Sequence, residues 1–342
     1  MAKAIATTKL IYLLCCSFLL LSCSKISPAD EALYQNHIRL NRLLGDEHLE
    51  LTPPLISAVS PLPSAADKTP PLKEIRYSMT EIWQYRECGL TLRMGERNSI
   101  LGKVMTASQQ LIYETQLLST LELCLKQQQS NEQIKWLKTL RQTKQQQLAS
   151  VWQKVLWSDP IIRGLFKPPS QRHLPRRGRS TAIEGLSRLN EQMHQTLTFA
   201  QQLDQSFEQI LYQLQGNHYL GQLAIDSENT LAWLAITNAL LRVKLPEVTC
   251  IDNKPSPAAK RLKGYLRGYY ATTVQPVVSQ LLRELQEVKP LLHPLYGDTD
   301  VSNTIGLLTS DDGYYQRIKT AAKHQQQTWQ KLFHRCGLSL QP

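Results

Sequence analysis

From Thr80 to the C-terminus, apolar residues recur by threes and fours among polar positions rich in Gln, Lys and Glu, the spacing of helices with one buried face. That pattern predicts helices near 79–104, 107–128, 131–157, 183–215, 228–244, 257–289 and 313–335. In the last of them Tyr315, Ile318, Ala322, Trp329, Leu332 and Cys336 form the stripe. Asp311 and Asp312 stand before it, where acids favour a helix start, and Gly337 follows as a C-cap. Helix 257–289 carries a stripe through Leu262, Leu266, Tyr269, Val277, Leu281, Leu285 and Val288, and Pro276 is expected to kink it. A shorter helix is expected from Ala29 to Leu44, with Pro28, Asp30 and Glu31 at its start. Strand-type alternation is nearly absent, so the expected fold class is all-α, a multi-helix bundle built from antiparallel hairpins.

Two segments interrupt the helical texture. Six of the 18 prolines fall between Thr52 and Leu72, the composition of an extended linker or surface strap. The second, Asp159 to Thr181, carries Arg163, Lys167, Arg172, Arg176, Arg177 and Arg179 with no acid after Asp159. A loop of this kind reads either as a solvated basic segment or as an anion-binding patch.

The N-terminus adds an address. Lys3 and Lys9 precede or border an apolar run, Leu10 to Leu21, too short to span a bilayer and suited to a signal-peptide core. It closes on Leu20-Leu21-Ser22-Cys23, which resembles the bacterial lipobox. The resemblance implies that residues 1–22 are removed and that Cys23 is acylated, palmitate among the chains. Ser24 in place of Asp then implies the outer membrane rather than the inner one. Several acyl chains, not a protein helix, would hold the chain to the lipid bilayer. The organisation that follows is a signal peptide over 1–22, an anchored helix and Pro-rich linker over 23–78, and a periplasmic helical domain over 79–342.

Charge narrows the partners. Removing 1–22 lowers the net charge of +11 only by the two lysines. The remaining excess favours anionic envelope polymers such as lipopolysaccharide or peptidoglycan, or envelope proteins, and export makes nucleic acid an unsuitable partner.

Cys88, Cys124, Cys250 and Cys336 remain after the anchor, an even count for an oxidising compartment and without the Cys-x-x-Cys pairs of zinc sites. One unbroken helix from Cys88 to Cys124 would part them by about 54 Å. Thr106 and Gln109 form a capping box, and Thr106 lies 18 residues from each cysteine. A hairpin folded there brings the two level, which favours Cys88–Cys124 with Cys250–Cys336 as the second bridge. Its seam is expected to set Cys88, Leu92, Gly95, Ser99 and Gly102 against Cys124, Thr120, Leu117, Tyr113 and Gln110. Arg97, on the face of Leu90, Met94, Leu101 and Val104, must then find a partner among carboxylates or carbonyls, with Glu114 the nearest candidate. Glu96, Arg97, Asn98, Ser99, Tyr113 and Glu114 thus read either as a polar clamp fixing the hairpin or as a ligand site.

The runs Glu96-Arg97-Asn98-Ser99, Leu101 to Met105, Ser108-Gln109 and Tyr113-Glu114 resemble an uncharacterised family of proteobacterial lipoproteins, catalogued as a domain of unknown function. The lipobox, Cys88, Cys124 and Arg335-Cys336-Gly337 fit it too. The resemblance supplies no activity. The sequence offers no nucleophile elbow, phosphate loop, metal motif or cofactor motif. Glu284 and Glu287 read as an exposed pair at helical spacing, and no catalytic residue is assigned. The expected role is binding or scaffolding on the periplasmic face of the outer membrane. The alternatives are an envelope enzyme using the Glu96–Glu114 region, or an anion-binding module using the 163–179 loop.

Overall fold

Short polar side chains set many of the helix starts. Ser27, Ser78, Ser99, Asp159, Asp204, Ser256 and Asn303 each accept a hydrogen bond from a backbone N–H of the following turn. A computed structural model describes residues 27–45, 59–69, 71–72, 75, 77–127, 130–297 and 301–339. Its helices are α1 (Pro28–Leu43), α2 (Ala65–Lys68), α3 (Met79–Trp83), α4 (Leu90–Asn98), α5 (Ile100–Lys103), α6 (Ala107–Gln127), α7 (Asn131–Ser158) and α8 (Pro160–Gly164). There follow α9 (Arg179–Leu197), α10 (Gln205–Leu214), α11 (Tyr219–Lys244), α12 (Pro257–Tyr265), α13 (Gln275–Tyr296), α14 (Thr304–Thr309) and α15 (Tyr314–Arg335). The fold is all-α, with no strand among the described residues.

Helix α11 runs through the middle: every residue from Tyr219 to Ser227 is buried. Around it α1, α7, α9, α10, α13 and α15 bury one continuous core that includes Leu33, Trp152, Phe207, Leu220, Leu285 and Ile318. Trp152 meets Phe207 edge-on at 5.4 Å and Trp157 meets Tyr296 at 5.1 Å, contacts that fix ring positions as well as exclude water. The N-terminal helix is therefore part of the body, and Val59, Leu62 and Leu72 of the Pro-rich segment pack on the same core. Two smaller apolar clusters form beside it, one around Cys88–Cys124 and one around Cys250–Cys336. Their Cα atoms are 5.1 and 5.2 Å apart, so both bridges have the connectivity that the 18-residue arms favour. The capping box at the hairpin turn is also present: Gln109 N–H donates to Thr106 Oγ1 at 3.2 Å, and Thr106 N–H donates to Gln109 Oε1 at 3.1 Å.

The seam differs from the sequence expectation. Helix 79–104 is interrupted at Gly89, left-handed with φ +82°, and at Ser99, extended with ψ 166°. The left-handed residue resets the phase, so Leu90 and Met94 join Tyr113, Leu117 and Leu121 in the packed face. Leu92 is left 72 % exposed, and a Cβ on Gly95 would meet nothing within 4 Å. The second break reverses the chain, so Leu101 and Val104 turn outward rather than toward the bundle. Gly102 is the close approach here, because a Cβ would strike the carbonyls of Glu96 and Arg97.

Three further helices depart from the pattern. The stretch 183–215 divides into α9 and α10, because buried Leu203 is drawn into the core and its N–H donates to Thr115 Oγ1 at 3.1 Å. Helix α11 begins nine residues before the expected 228. Helix 257–289 continues to Tyr296 through a π-helical stretch, Leu266–Val274, and Pro276 falls in the first turn of α13. The wider π turn immediately before Pro276 accommodates its ring and its missing N–H.

Candidate functional site

The disulfide-linked hairpin and helix α7 enclose a cleft of 560 Å³. Helix α6 presents Gln110, Tyr113 and Glu114, which face the cleft because they stand at i, i+3 and i+4. The end of α4 supplies Arg97 and Asn98, and the reversal at Ser99 brings Lys103 of α5 to the rim. Helix α7 adds Lys144 and Lys154 across the gap, and Tyr77 closes another side.

Glu114 Oε1 lies 2.9 Å from Lys144 Nζ, with both groups largely buried. Lys154 Nζ donates to Gln110 Oε1 at 2.8 Å. Arg97 donates to the Gly102 carbonyl across the reversal, so the Arg97–Glu114 partnership suggested by the sequence is replaced by two separate contacts. Among the described lining residues, four cations surround one carboxylate. Burial pushes the Tyr113 phenol well above its usual range, Tyr77 and Glu114 add to this, and Arg97 and Arg93 oppose it. Tyr77 is raised by burial and by Glu114, against Arg97. Both phenols therefore stay protonated near neutral pH and remain able to donate hydrogen bonds.

Of the six residues singled out in this region, Arg97, Asn98, Tyr113 and Glu114 line the cleft. Glu96 and Ser99 do not. Glu96 pairs with Arg93 at 2.7 Å, and Ser99 Oγ caps α5 by accepting from Gly102 N–H at 3.0 Å while donating to the Glu96 carbonyl at 2.7 Å. Both border a second groove of 610 Å³ that also touches Tyr113, Leu101, Val104 and Ile112. Lys103, Lys144 and Lys154 were not singled out in the sequence. A signal did exist, because Lys144, Val151 and Lys154 recur by sevens and threes on one stripe of α7 and Val151 is buried.

The basic loop has a different fate. Arg172 pairs with Asp30 and, at 3.2 Å, with Asp226. Arg176 meets Asp226 at 2.7 Å and Glu284 at 3.1 Å. Arg179 Nε donates to Glu287 at 3.0 Å, and Arg163 donates to the carbonyls of Pro63 and Trp157 at 3.0 and 2.9 Å. Lys167 and Arg177 stand exposed and form no ion pair among the described residues, whereas the other four are engaged by carboxylates or carbonyls of the fold. The loop is a strap held down by its own arginines.

Glu284, read as exposed, is buried, accepting from Tyr219 Oη at 3.1 Å and Gln280 Nε2 at 2.9 Å. Asn229 Nδ2 donates to Asp30 at 3.3 Å. Burial pushes the Asp226 carboxyl up, and the guanidiniums of Arg176 and Arg172 pull it partly back. This buried array joins α1, the strap, α11 and α13.

Cys23 and the leader lie outside the described residues. Among those described, no helix is long and apolar enough to cross a membrane, and no group of three or more His, Cys, Asp or Glu is placed to hold a metal ion.

A family model described as a protein of unknown function, DUF3080, matches residues 34–340. No curated protein and no solved structure matches the chain.

Proposed function

The chain belongs to the DUF3080 family of proteins of unknown function, and we propose that it is a lipid-anchored envelope protein that holds an anionic ligand in the α4–α6–α7 cleft. The observation that carries this reading is the charge of the cleft, where Arg97, Lys103, Lys144 and Lys154 face one carboxylate already held by Lys144. Two protonated phenols add neutral donors suited to carboxylate or phosphate oxygens. Binding is the reading because Lys144 already holds Glu114 and the remaining cations and phenols are donors of hydrogen bonds. The reading places the anchor at Cys23 and the helical body in the periplasm, at the outer membrane, within reach of phosphorylated or carboxylated envelope molecules.

Calorimetric titration with inorganic phosphate and with soluble anionic peptidoglycan fragments tests the cleft. At least one probe binds, and affinity falls with added salt as cation-driven binding requires. Lys103→Gln and Lys154→Gln each weaken binding about tenfold, the scale of one charge-assisted hydrogen bond, with unchanged thermal unfolding. Absence of binding by every probe, or affinities untouched by both substitutions, overturns the reading. Acyl labelling that persists in a Cys23→Ser chain removes the anchor from it.

A further inference from the structure

The reversal at Ser99 makes a tip that nothing else in the fold explains. Ile100 is 84 % exposed, Leu101 80 % and Val104 72 %, three large apolar side chains within five residues. Single exposed apolar residues are common on protein surfaces, but a cluster at a protruding turn marks an interaction site. Ser99 caps this turn through Gly102 N–H, and Arg97 ties across it to the Gly102 carbonyl, so the backbone is fixed while Ile100 stands exposed and Leu101 and Val104 lie exposed along the 610 Å³ groove. The tip lies at the free end of the hairpin whose other end is closed by Cys88–Cys124.

We infer that this tip inserts into the interface of an anionic lipid bilayer. Charge complementarity selects that occupant. Lys103 stands exposed between Leu101 and Val104; of the two acids on the groove that Leu101 and Val104 line, Glu96 pairs with Arg93 at 2.7 Å and Glu208 is half-buried. Arg97, Lys103 and Lys154 line the adjoining cleft, so a turn buried among acyl chains would present cations at the level of lipid phosphates. An apolar wedge rimmed by lysine and arginine is the arrangement that a headgroup region accommodates, because the charged heads stay at the polar layer while the apolar groups go deeper. This contact is separate from the anchor and from whatever occupies the cleft.

The test uses the chain from Ser24 onward, which retains every described residue and lacks the anchor position. Flotation with phosphatidylethanolamine vesicles carrying about one quarter phosphatidylglycerol recovers the protein with the lipid, and less so as salt rises. Substituting Ile100→Gln, Leu101→Gln and Val104→Gln together lowers partition by more than about tenfold, since each buried aliphatic side chain alone is worth roughly that factor. Their exposure leaves thermal unfolding unchanged, and Val243→Gln, another exposed apolar position on α11, serves as the neutral control. A dye on Leu101→Cys shifts to the blue on vesicles. The inference is overturned if the parent chain stays with the aqueous phase, if the triple variant floats equally well, or if the tip instead drives self-association that the triple variant abolishes without lipid.

Discussion

Replacing Arg176 with Met tests the buried ion array most directly. The Arg176 side chain is 1 % exposed and lies between Asp226 at 2.7 Å and Glu284 at 3.1 Å, which are 1 % and 4 % exposed. Without it Asp226 keeps Arg172 at 3.2 Å, whereas Glu284 keeps, among the described residues, the neutral donors Tyr219 and Gln280. Removing one member of a buried charge array leaves its counter-charges desolvated, a loss of about 3–5 kcal/mol. For a chain of this length the unfolding entropy is roughly 0.7 kcal/mol per degree, so the midpoint falls by about 4–7 °C. The pH dependence supplies a sharper check. Burial already raises the folded Asp226 carboxyl and Arg176 opposes that rise, so without Arg176 the folded state binds more protons than the unfolded one from the ordinary carboxylate range, about 4, upward. Stability of the variant therefore falls as pH rises through that window, and its deficit is larger near neutrality than at about pH 5. Urea unfolding of both proteins across this range reads the difference. A deficit below about 1 kcal/mol, or one that does not shrink on acidification, refutes the assignment of Arg176 as the counter-charge of two buried carboxylates.

Three other outcomes follow from the same packing. Gly221→Ala forces a Cβ into the Lys167 carbonyl, where the strap crosses α11 and Gly221 N–H donates to Leu165 at 2.8 Å; a loss of about 1–3 kcal/mol or more in urea unfolding is expected. The bridges close loops with sequence separations of 36 and 86, so removing Cys250–Cys336 as an Ala pair should destabilise by about 0.8 kcal/mol more than removing Cys88–Cys124, on loop entropy alone. His37, buried against Thr237, has its imidazole held below the ordinary value by desolvation. The unfolded chain then takes up a proton first as pH falls below about 6.5, so stability declines through that window in the parent and declines less in His37→Gln.

What the sequence revealed depended on how far apart the partners lie. The hairpin was readable because Thr106, Gln109, Cys88 and Cys124 fall within one short stretch and its geometry is local. Helix α15 was readable because its stripe keeps helical spacing, with buried Gln325 at the single polar step. The start of α11 was hidden by the polar residues Gln222, Asp226 and Ser227, which look like loop chemistry; Gln222 and Asp226 serve His173 and Arg172 of the strap, and Ser227 bonds back to the Leu223 carbonyl of its own helix. Glu284 looked solvated because Arg176 stands 108 positions earlier, and no helical period reports such a pairing. The same distance made the 163–179 arginines look free. In the cleft, Arg97, Asn98, Tyr113 and Glu114 were found from the hairpin itself, but Lys144 and Lys154 arrive on a different helix whose docking is a tertiary event. The breaks at Gly89 and Ser99 were missed because flanking residues keep good helical spacing through both.

The burial of α1 has a mechanical corollary. Asp30 finds Arg172 and Asn229 at sequence separations of 142 and 199, so this early segment is fully satisfied only after Asn229 has been made. Once it is seated, tension applied at the N-terminus does not peel away a tether. It arrives in the middle of the molecule, along a helix clamped by guanidinium and amide.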